Sequence, residues 1–483
     1  MKNPNDSPAA SRDGARPKLS LFDATCIMVG IIIGASIYKS SPDIAEGASH
    51  GSLALVEWLR GGQAAPLSEA TNTTIAIAGL FGVWLVGGLV ALVGSLCYAE
   101  LSTAFPHEGG NYYFLKRAFG DSTAFAFAWT EFWIVRPGNV GALAFVFARY
   151  ASELAAPLLP GLQAPSGQLM LACAAIVLLT AVNLLGIRTG SRTQNVLTAC
   201  KVAGLAIIVA TGLAAAGSQA YEVPASSRPF QPGLGLALIF VMFAYGGWSD
   251  MSYVAADVRD PERNISRSLL LGTAMVTAIY LLVTLAFVAA LSLPGLRNSP
   301  AVAADTVSLR FGAWGASGIS ILICVSTLGA INGMLFAGGR VFYALGKEDA
   351  AFTWLGAWND RFGGPVRSLV VQSLATLALA IAFGRSENGF ERLVVFTGPF
   401  YCGFLLLIAI GFFVLRRRGE IGAGYRAPLY PLPPLALAAA CAFMTYSSTD
   451  FAVRNGTSEG YWAVAVVASG VLALVLKRWF AGR

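Results

Sequence analysis

Twelve times along the chain, apolar residues run on long enough to cross a bilayer. The runs lie near 22–45, 75–104, 122–150, 168–187, 194–216, 233–257, 268–292, 313–345, 368–384, 390–415, 433–450 and 460–479. A hydrocarbon core about 30 Å thick takes roughly 20 residues of helix. Inside it every backbone N–H and C=O must be satisfied within the protein, so only helices and closed barrels span it. Continuous apolar runs, without the alternation of a barrel strand, select helices. The expected fold class is an all-α integral membrane protein with 12 transmembrane helices. Composition agrees, because only 12% of the 483 residues are charged, about half the ~25% of a soluble chain.

The charges that remain orient the spans. Lys and Arg cluster in cytoplasmic loops. If residues 1–20 form a disordered cytoplasmic tail, alternate connections carry the denser basic groups: Lys116 and Arg117; Arg188 and Arg192; Arg259, Arg263 and Arg267; Arg416, Arg417 and Arg418. The opposite loops hold isolated residues such as Lys39, Arg60, Arg149 and Arg297. Both termini are therefore expected in the cytoplasm. The net charge of +7 records topology and implies no nucleic-acid partner; the bilayer is the partner. Residues 46–74 read as an extracellular insertion with a short helix over Leu53–Arg60, a surface insertion or a lid. The outward sequons at Asn72 and Asn455 carry little weight.

Other chemistry is excluded by what the apolar runs contain. The seven cysteines all fall inside them, with no CxxC or Cys/His cluster, so neither a disulfide scaffold nor a metal site is expected. His50 and His107 sit in loops, which removes a histidine relay through the core. An intramembrane enzyme would need a nucleophile and base, or metal ligands, at membrane depth. None is found, and no cofactor is implied.

Two runs break their own pattern. In "VGIIIGASIY" the first run is interrupted by Gly34, Ala35 and Ser36, and in "FAYGGW" the sixth by Gly246 and Gly247. A glycine inside a helix costs about 1 kcal/mol relative to alanine. Loosened backbone at this depth survives only where it is buried in protein or lines a cavity. The breaks occupy matching positions if spans 1–5 (21–216) and 6–10 (233–415) are inverted repeats, with 416–483 as peripheral spans. Such pairing points to a transporter's binding site; the competing reading is close packing of small residues between helices. Where span 1 restarts, at Ala35–Ile37, free N–H groups suit an anion. Where span 6 stops, at Phe243–Tyr245, free carbonyls suit a cation. A zwitterion such as an α-amino acid fits both.

Four polar residues within spans need a reason. Lys201, two turns into span 5, either snorkels to the surface or works inside. Glu131 and Arg136 share span 3, but five residues is poor α-helical spacing for a pair. Each is expected to find another partner, with Glu131 as a proton acceptor the second reading. Asn332 is a plausible hydrogen-bond bridge. Spans 1, 6 and 8 show no carboxylate beside the breaks, which favours neutral substrates over polyamines.

These residues resemble the amino acid–polyamine–organocation transporters over nearly the whole chain. "VGIIIGASIY" is similar to that family's first span, "YAELSTAFPHEGGNYYFLKRAFG" to its span 2–3 loop, and "FAYGGWSDMSYVAADVRDPERNISRS" to its broken sixth span. "STLGAINGMLFAGGRVFYALGKED" resembles span 8, "LRRRGEIGAGYRAPLYPLPPL" the span 10–11 connection, and "WTEFWIVRPGNVGALAFVFARY" the L-type amino acid transporter branch. The resemblance implies ten core helices as two inverted five-helix repeats, with broken helices 1 and 6 and two peripheral helices, in a bacterial inner membrane. It implies a substrate site over Ile33, Gly34, Ala35, Ser36, Ile37, Phe243, Ala244, Tyr245 and Gly246. There, amides at 35–37 would hold the carboxylate, carbonyls at 243, 244 and 246 the ammonium, and the Phe243 ring would act as gate. Lys201, with Ser326 and Thr327, would replace the sodium ion of coupled relatives, giving sodium-independent exchange or proton-coupled uptake of neutral L-amino acids. A transporter of polyamines or other amines and an amino acid sensor are the alternatives. The chain departs from the family twice. Ser36 replaces its second signature glycine. The loop "ASELAAPLLPGLQAPSGQ" lacks the cysteine that would bond a heavy subunit, so no disulfide-linked heavy subunit is expected.

Overall fold

The computed structural model describes residues 19–34, 36–61, 67–107, 109–217, 233–299, 301–383, 389–422, 424–454 and 458–481. The tail expected over 1–20 falls almost wholly outside them, as do Ala35 and the sequon at Asn455. Among the described residues the chain is helical, with two isolated bridges, Leu19 to Val258 and Asn359 to Gly364, in place of any strand.

The first span opens with α1 (Leu21–Ile32). Ser20 Oγ accepts from Asp23 N at 3.2 Å, and the Asp23 carboxylate accepts from Ser20 N at 2.9 Å, a reciprocal cap that satisfies two orphan donors of the first turn. α1 stops where Ile33 leaves helical geometry (φ −74°, ψ 85°). The chain resumes as α2 (Ser36–Lys39) and α3 (Ser41–Leu59). In α3 the structure departs from expectation. The helix is 19 residues long rather than a short helix over Leu53–Arg60, because Pro42 and Asp43 in its first turn suit a helix start and no proline interrupts it, while Gly47 and Gly51 are accommodated inside it.

Next come α4 (Glu69–Ala104), the short α5 (Asn111–Phe119) and α6 (Asp121–Thr130). A π-helical turn over Glu131–Val135 joins α6 to α7 (Arg136–Ala155). Then follow α8 (Pro165–Leu184), α9 (Ile187–Ala214) and α10 (Leu234–Tyr245). A 3-10 segment over Trp248–Asp257 carries the second half of the sixth span. The rest is α11 (Pro261–Asn298), α12 (Val302–Glu348), α13 (Val366–Phe383), α14 (Gly389–Arg417), α15 (Leu432–Arg454) and α16 (Ser458–Ala481).

Nine helical stretches among the described residues are long and apolar enough to cross a membrane, from Leu21–Lys39 to Phe396–Arg417. The runs expected at 122–150, 433–450 and 460–479 are helical too, in α6–α7, α15 and α16, but fall outside those nine. In α6–α7 the run is divided by the π turn and carries Glu131 and Arg136. This is a multi-pass membrane protein.

Burial follows from position in the bundle. α1 packs against α9, α11 and α12, and Ala24, Ile27, Met28 and Val29 are all buried. α8 and α15, at the rim, leave Met170, Val177, Leu178 and Phe443 exposed, as lipid-facing surfaces require. At the centre α4 packs on α11, α7 on α12, and α1 on the Trp248–Asp257 segment. These contacts bring the two broken spans together.

Candidate functional site: a cavity between two broken helices

The sixth span breaks through two different glycine geometries. Gly246 turns the chain out of α10 with φ −57° and ψ 151°, which any residue can adopt. Gly247 has φ +112°, and a Cβ there would stand 2.6 Å from Ile31 Cγ2 and 3.3 Å from Ile32 N. Only glycine allows both that backbone and that approach. The second break therefore lies directly on the end of α1. Between them is a cavity lined by Ile31, Ile32, Gly34 and Ser36 from the first span and by Met242, Phe243, Gly246, Gly247, Ser249 and Asp250 from the sixth. Leu143, Met334, Thr397 and Tyr401 contribute to the other walls.

A helix that stops leaves carbonyls without partners, and three neighbouring helices supply donors to α1. In a continuous helix Gly34 N–H would bond Gly30 O; instead it turns to Ile32 O at 2.8 Å. Lys201 of α9 takes over, its Nζ donating to Gly30 O at 2.7 Å and Ile33 O at 2.6 Å. Lys201 is completely buried, so it does not snorkel; its amino group caps the carbonyl end of α1. Ser326 Oγ of α12 lies 3.4 Å from Ile33 O and 3.3 Å from Gly34 O. Thr327 does not join them: its hydroxyl donates to Ile323 O and Cys324 O of its own helix, each at 2.9 Å.

The third donor was not anticipated. Tyr280 of α11 places its hydroxyl 3.1 Å from Ile32 O and 2.9 Å from Ala244 O. A phenol has one proton, so Tyr280 serves the carbonyl end of one broken span or the other at any instant. Its ring packs edge-on against Trp84 and Tyr245, with both centroid separations 5.2 Å. Tyr245 donates to Trp84 O at 3.2 Å and is not among the cavity-lining residues. Nothing in a tyrosine within an apolar run signals such a role; only the packing of α11 on α1 reveals it.

The expectation that Glu131 and Arg136 find separate partners is overturned. Arg136 donates through Nε to Glu131 Oε1 at 3.0 Å, and Nη2 lies 2.7 Å from the same oxygen. The π turn is the reason. Its i→i+5 bond, Arg136 N–H to Glu131 O, stacks residues five apart on one face, where an α-helix would not. The guanidinium also reaches across to Asp250 Oδ1 at 2.7 Å, joining α7 to the second half of the sixth span. All three side chains are buried and line the cavity. Asp250 corrects a second expectation: a carboxylate does stand beside the break in span 6, four residues past Gly246. Asn332 bridges as expected, donating to Gln194 Oε1 at 2.9 Å and accepting from Asn183 Nδ2 at 2.8 Å.

With this geometry in hand, residues 19–472 match the family model described as amino acid permease. The chain belongs to the amino acid permease family. It sits within the amino acid–polyamine–organocation superfamily, related to the L-type branch. The large neutral amino acids transporter small subunit 2 of Oryctolagus cuniculus is 30% identical over 442 residues, covering 89% of this permease and 74% of that protein. The Homo sapiens protein of the same name is 30% identical over 441 residues, with 88% and 74% covered. The b(0,+)-type amino acid transporter 1 of Oryctolagus cuniculus is 31% identical over 340 residues, with 68% and 63% covered.

Of the residues expected at the permease's site, the cavity gathers Gly34, Ser36, Phe243, Gly246, Glu131 and Arg136. Ile33, Ile37 and Ala244 are buried behind it, and Lys201, Ser326 and Asn332 lie in the supporting network. Phe243 O accepts from Gly246 N at 3.1 Å.

Proposed function

We propose that this permease carries amino acids across the membrane by alternating access around the cavity between its two broken helices. One observation carries the reading: the restart of the first span at Ser36 and the end of α10, through Phe243 and Gly246, meet on one cavity. The first end offers N–H groups and the second offers carbonyls, so the carboxylate lies on the amides of Ser36 and Ile37. The ammonium lies on the carbonyls of Phe243, Ala244 and Gly246. The apolar walls at Ile31, Leu143, Met242 and Met334 suit neutral L-amino acids, and the Phe243 ring closes over the side chain.

Transport is sodium-independent. Lys201 brings a fixed cation to the carbonyls of Gly30 and Ile33, and Ser326 shares Ile33 O with it. The scaffold is twelve spans as two inverted repeats of five plus two peripheral helices. The pairing of the second span with the seventh, α4 on α11, and of the third with the eighth, α7 on α12, supports that symmetry. Both termini face the cytoplasm of a bacterial inner membrane. The large neutral amino acids transporter relatives are named as small subunits, but residues 151–168 of this chain contain no cysteine, so no disulfide to a second subunit forms there. The chain catalyses no covalent reaction.

Counterflow in proteoliposomes tests the reading. Vesicles preloaded with neutral amino acids should accumulate external labelled leucine equally with and without sodium. A strict sodium requirement would remove Lys201 from the ion's place. Binding of leucine without flux would favour a sensor.

A further inference from the structure

The cavity holds more negative charge than it cancels. Its charged lining residues, among those described, are Glu131, Arg136 and Asp250: two carboxylates and one guanidinium. Both carboxylates use the same Nη2 of Arg136, each at 2.7 Å, so the arginine is shared rather than supplemented. Other buried bases nearby are already committed. Arg340 is paired with Asp257 at 2.6 Å, and Lys201 is held on the carbonyls of α1. Tyr253 lies under the guanidinium, 5.5 Å from ring to Arg136 Cζ, and adds no charge. An unbalanced buried charge is expensive and is neutralised either by a proton or by a cation drawn into the cavity.

We infer that Asp250 is a specificity-determining residue that lets this permease take amino acids with a cationic side chain as well as neutral ones. The inference rests on the proposed amino acid transport and extends its substrate class. Asp250 stands about one helical turn beyond Gly246, the residue whose carbonyl is assigned to the substrate ammonium. A side chain directed down the cavity from that point meets the excess negative charge of the carboxylate pair. Arginine and lysine carry a charge of the required sign at the far end of a chain long enough to cross that turn. The apolar walls contact the methylenes in between, so the same site still accepts leucine.

The test compares arginine with citrulline, which has the same length and shape but no charge. Each competes against labelled leucine in counterflow by the full-length protein, at equal membrane potential and fixed salt. Wild type should favour arginine over citrulline by at least about tenfold, the effect of ~1.4 kcal/mol from one partly screened charge contact. Asp250→Asn, and separately Glu131→Gln, should bring the arginine-to-citrulline ratio to within about twofold of one, while Asp250→Glu should keep the preference. Because the readout is a ratio within each variant, a general loss of rate cancels. Should Asp250→Asn not fold, the wild-type ratio and Glu131→Gln carry the test. Leucine flux with no preference for arginine in wild type overturns this inference alone, as does a preference untouched by both neutralising variants. Absence of flux for every amino acid overturns the transport reading beneath it.

Discussion

Lys201→Met is the sharpest perturbation of the proposed site, because it removes an ammonium and keeps an apolar stem of similar length. In the native protein two carbonyls depend on that ammonium, Gly30 O at 2.7 Å and Ile33 O at 2.6 Å. They do not suffer equally. Ser326 Oγ can still donate to Ile33 O, whereas Gly30 O has lost its helical partner to the turn of Gly34 N–H toward Ile32 O. One buried acceptor is therefore left without a donor, at about 1–3 kcal/mol. If that energy holds the first break in its substrate-binding shape, the bound arrangement falls roughly five- to 150-fold in population. Affinity for labelled leucine, measured by scintillation proximity on purified protein, should weaken within that range, with the elution profile on size exclusion unchanged. Leucine affinity and counterflow rate at wild-type values in Lys201→Met would refute the reasoning.

Two further substitutions probe the cavity walls. Arg136→Met leaves Glu131 and Asp250 buried together with no counter-charge and should destabilise the fold by about 3–5 kcal/mol. Its thermal midpoint in detergent should fall well below that of Glu131→Gln, and equal midpoints would contradict the shared pairing. Gly247→Ala combines a backbone at φ +112° with a Cβ 2.6 Å from Ile31. The backbone strain alone is worth about 1–3 kcal/mol. Gly246→Ala, at φ −57°, should be milder in the same melting assay, and the reverse order would show that the second break does not rest on α1.

Much of this architecture could be read from residue order because lipid leaves a chain few choices. Apolar runs became helices, and both glycine-marked interruptions became breaks at the residues that spell them. Lys201 was legible as an anomaly, since a lysine at that depth demands a partner, although which carbonyls it takes depends on how α9 crosses α1. The reading failed where local geometry departed from the α-helix. The spacing of Glu131 and Arg136 argues against a pair only while the helix is α, and the π turn reverses that argument. Asp250 is visible in "GGWSD", but its approach to the cavity depends on the 3-10 path that follows Gly247, which residue order does not reveal. Tyr280 left no trace in sequence at all; its hydroxyl matters only because α11 packs against both breaks. Thr327 shows the opposite error, a hydroxyl adjacent in sequence to Ser326 but turned back on its own helix.

The most direct test of the central claim is a structure of the protein in lipid nanodiscs with leucine bound. The account predicts ligand density between the two breaks, with the carboxylate on the amides at Ser36 and Ile37 and the ammonium facing the carbonyls of Phe243 and Ala244. Density at any other place in the bundle, or a ligand whose carboxylate points at the carbonyl end of α10, would contradict it.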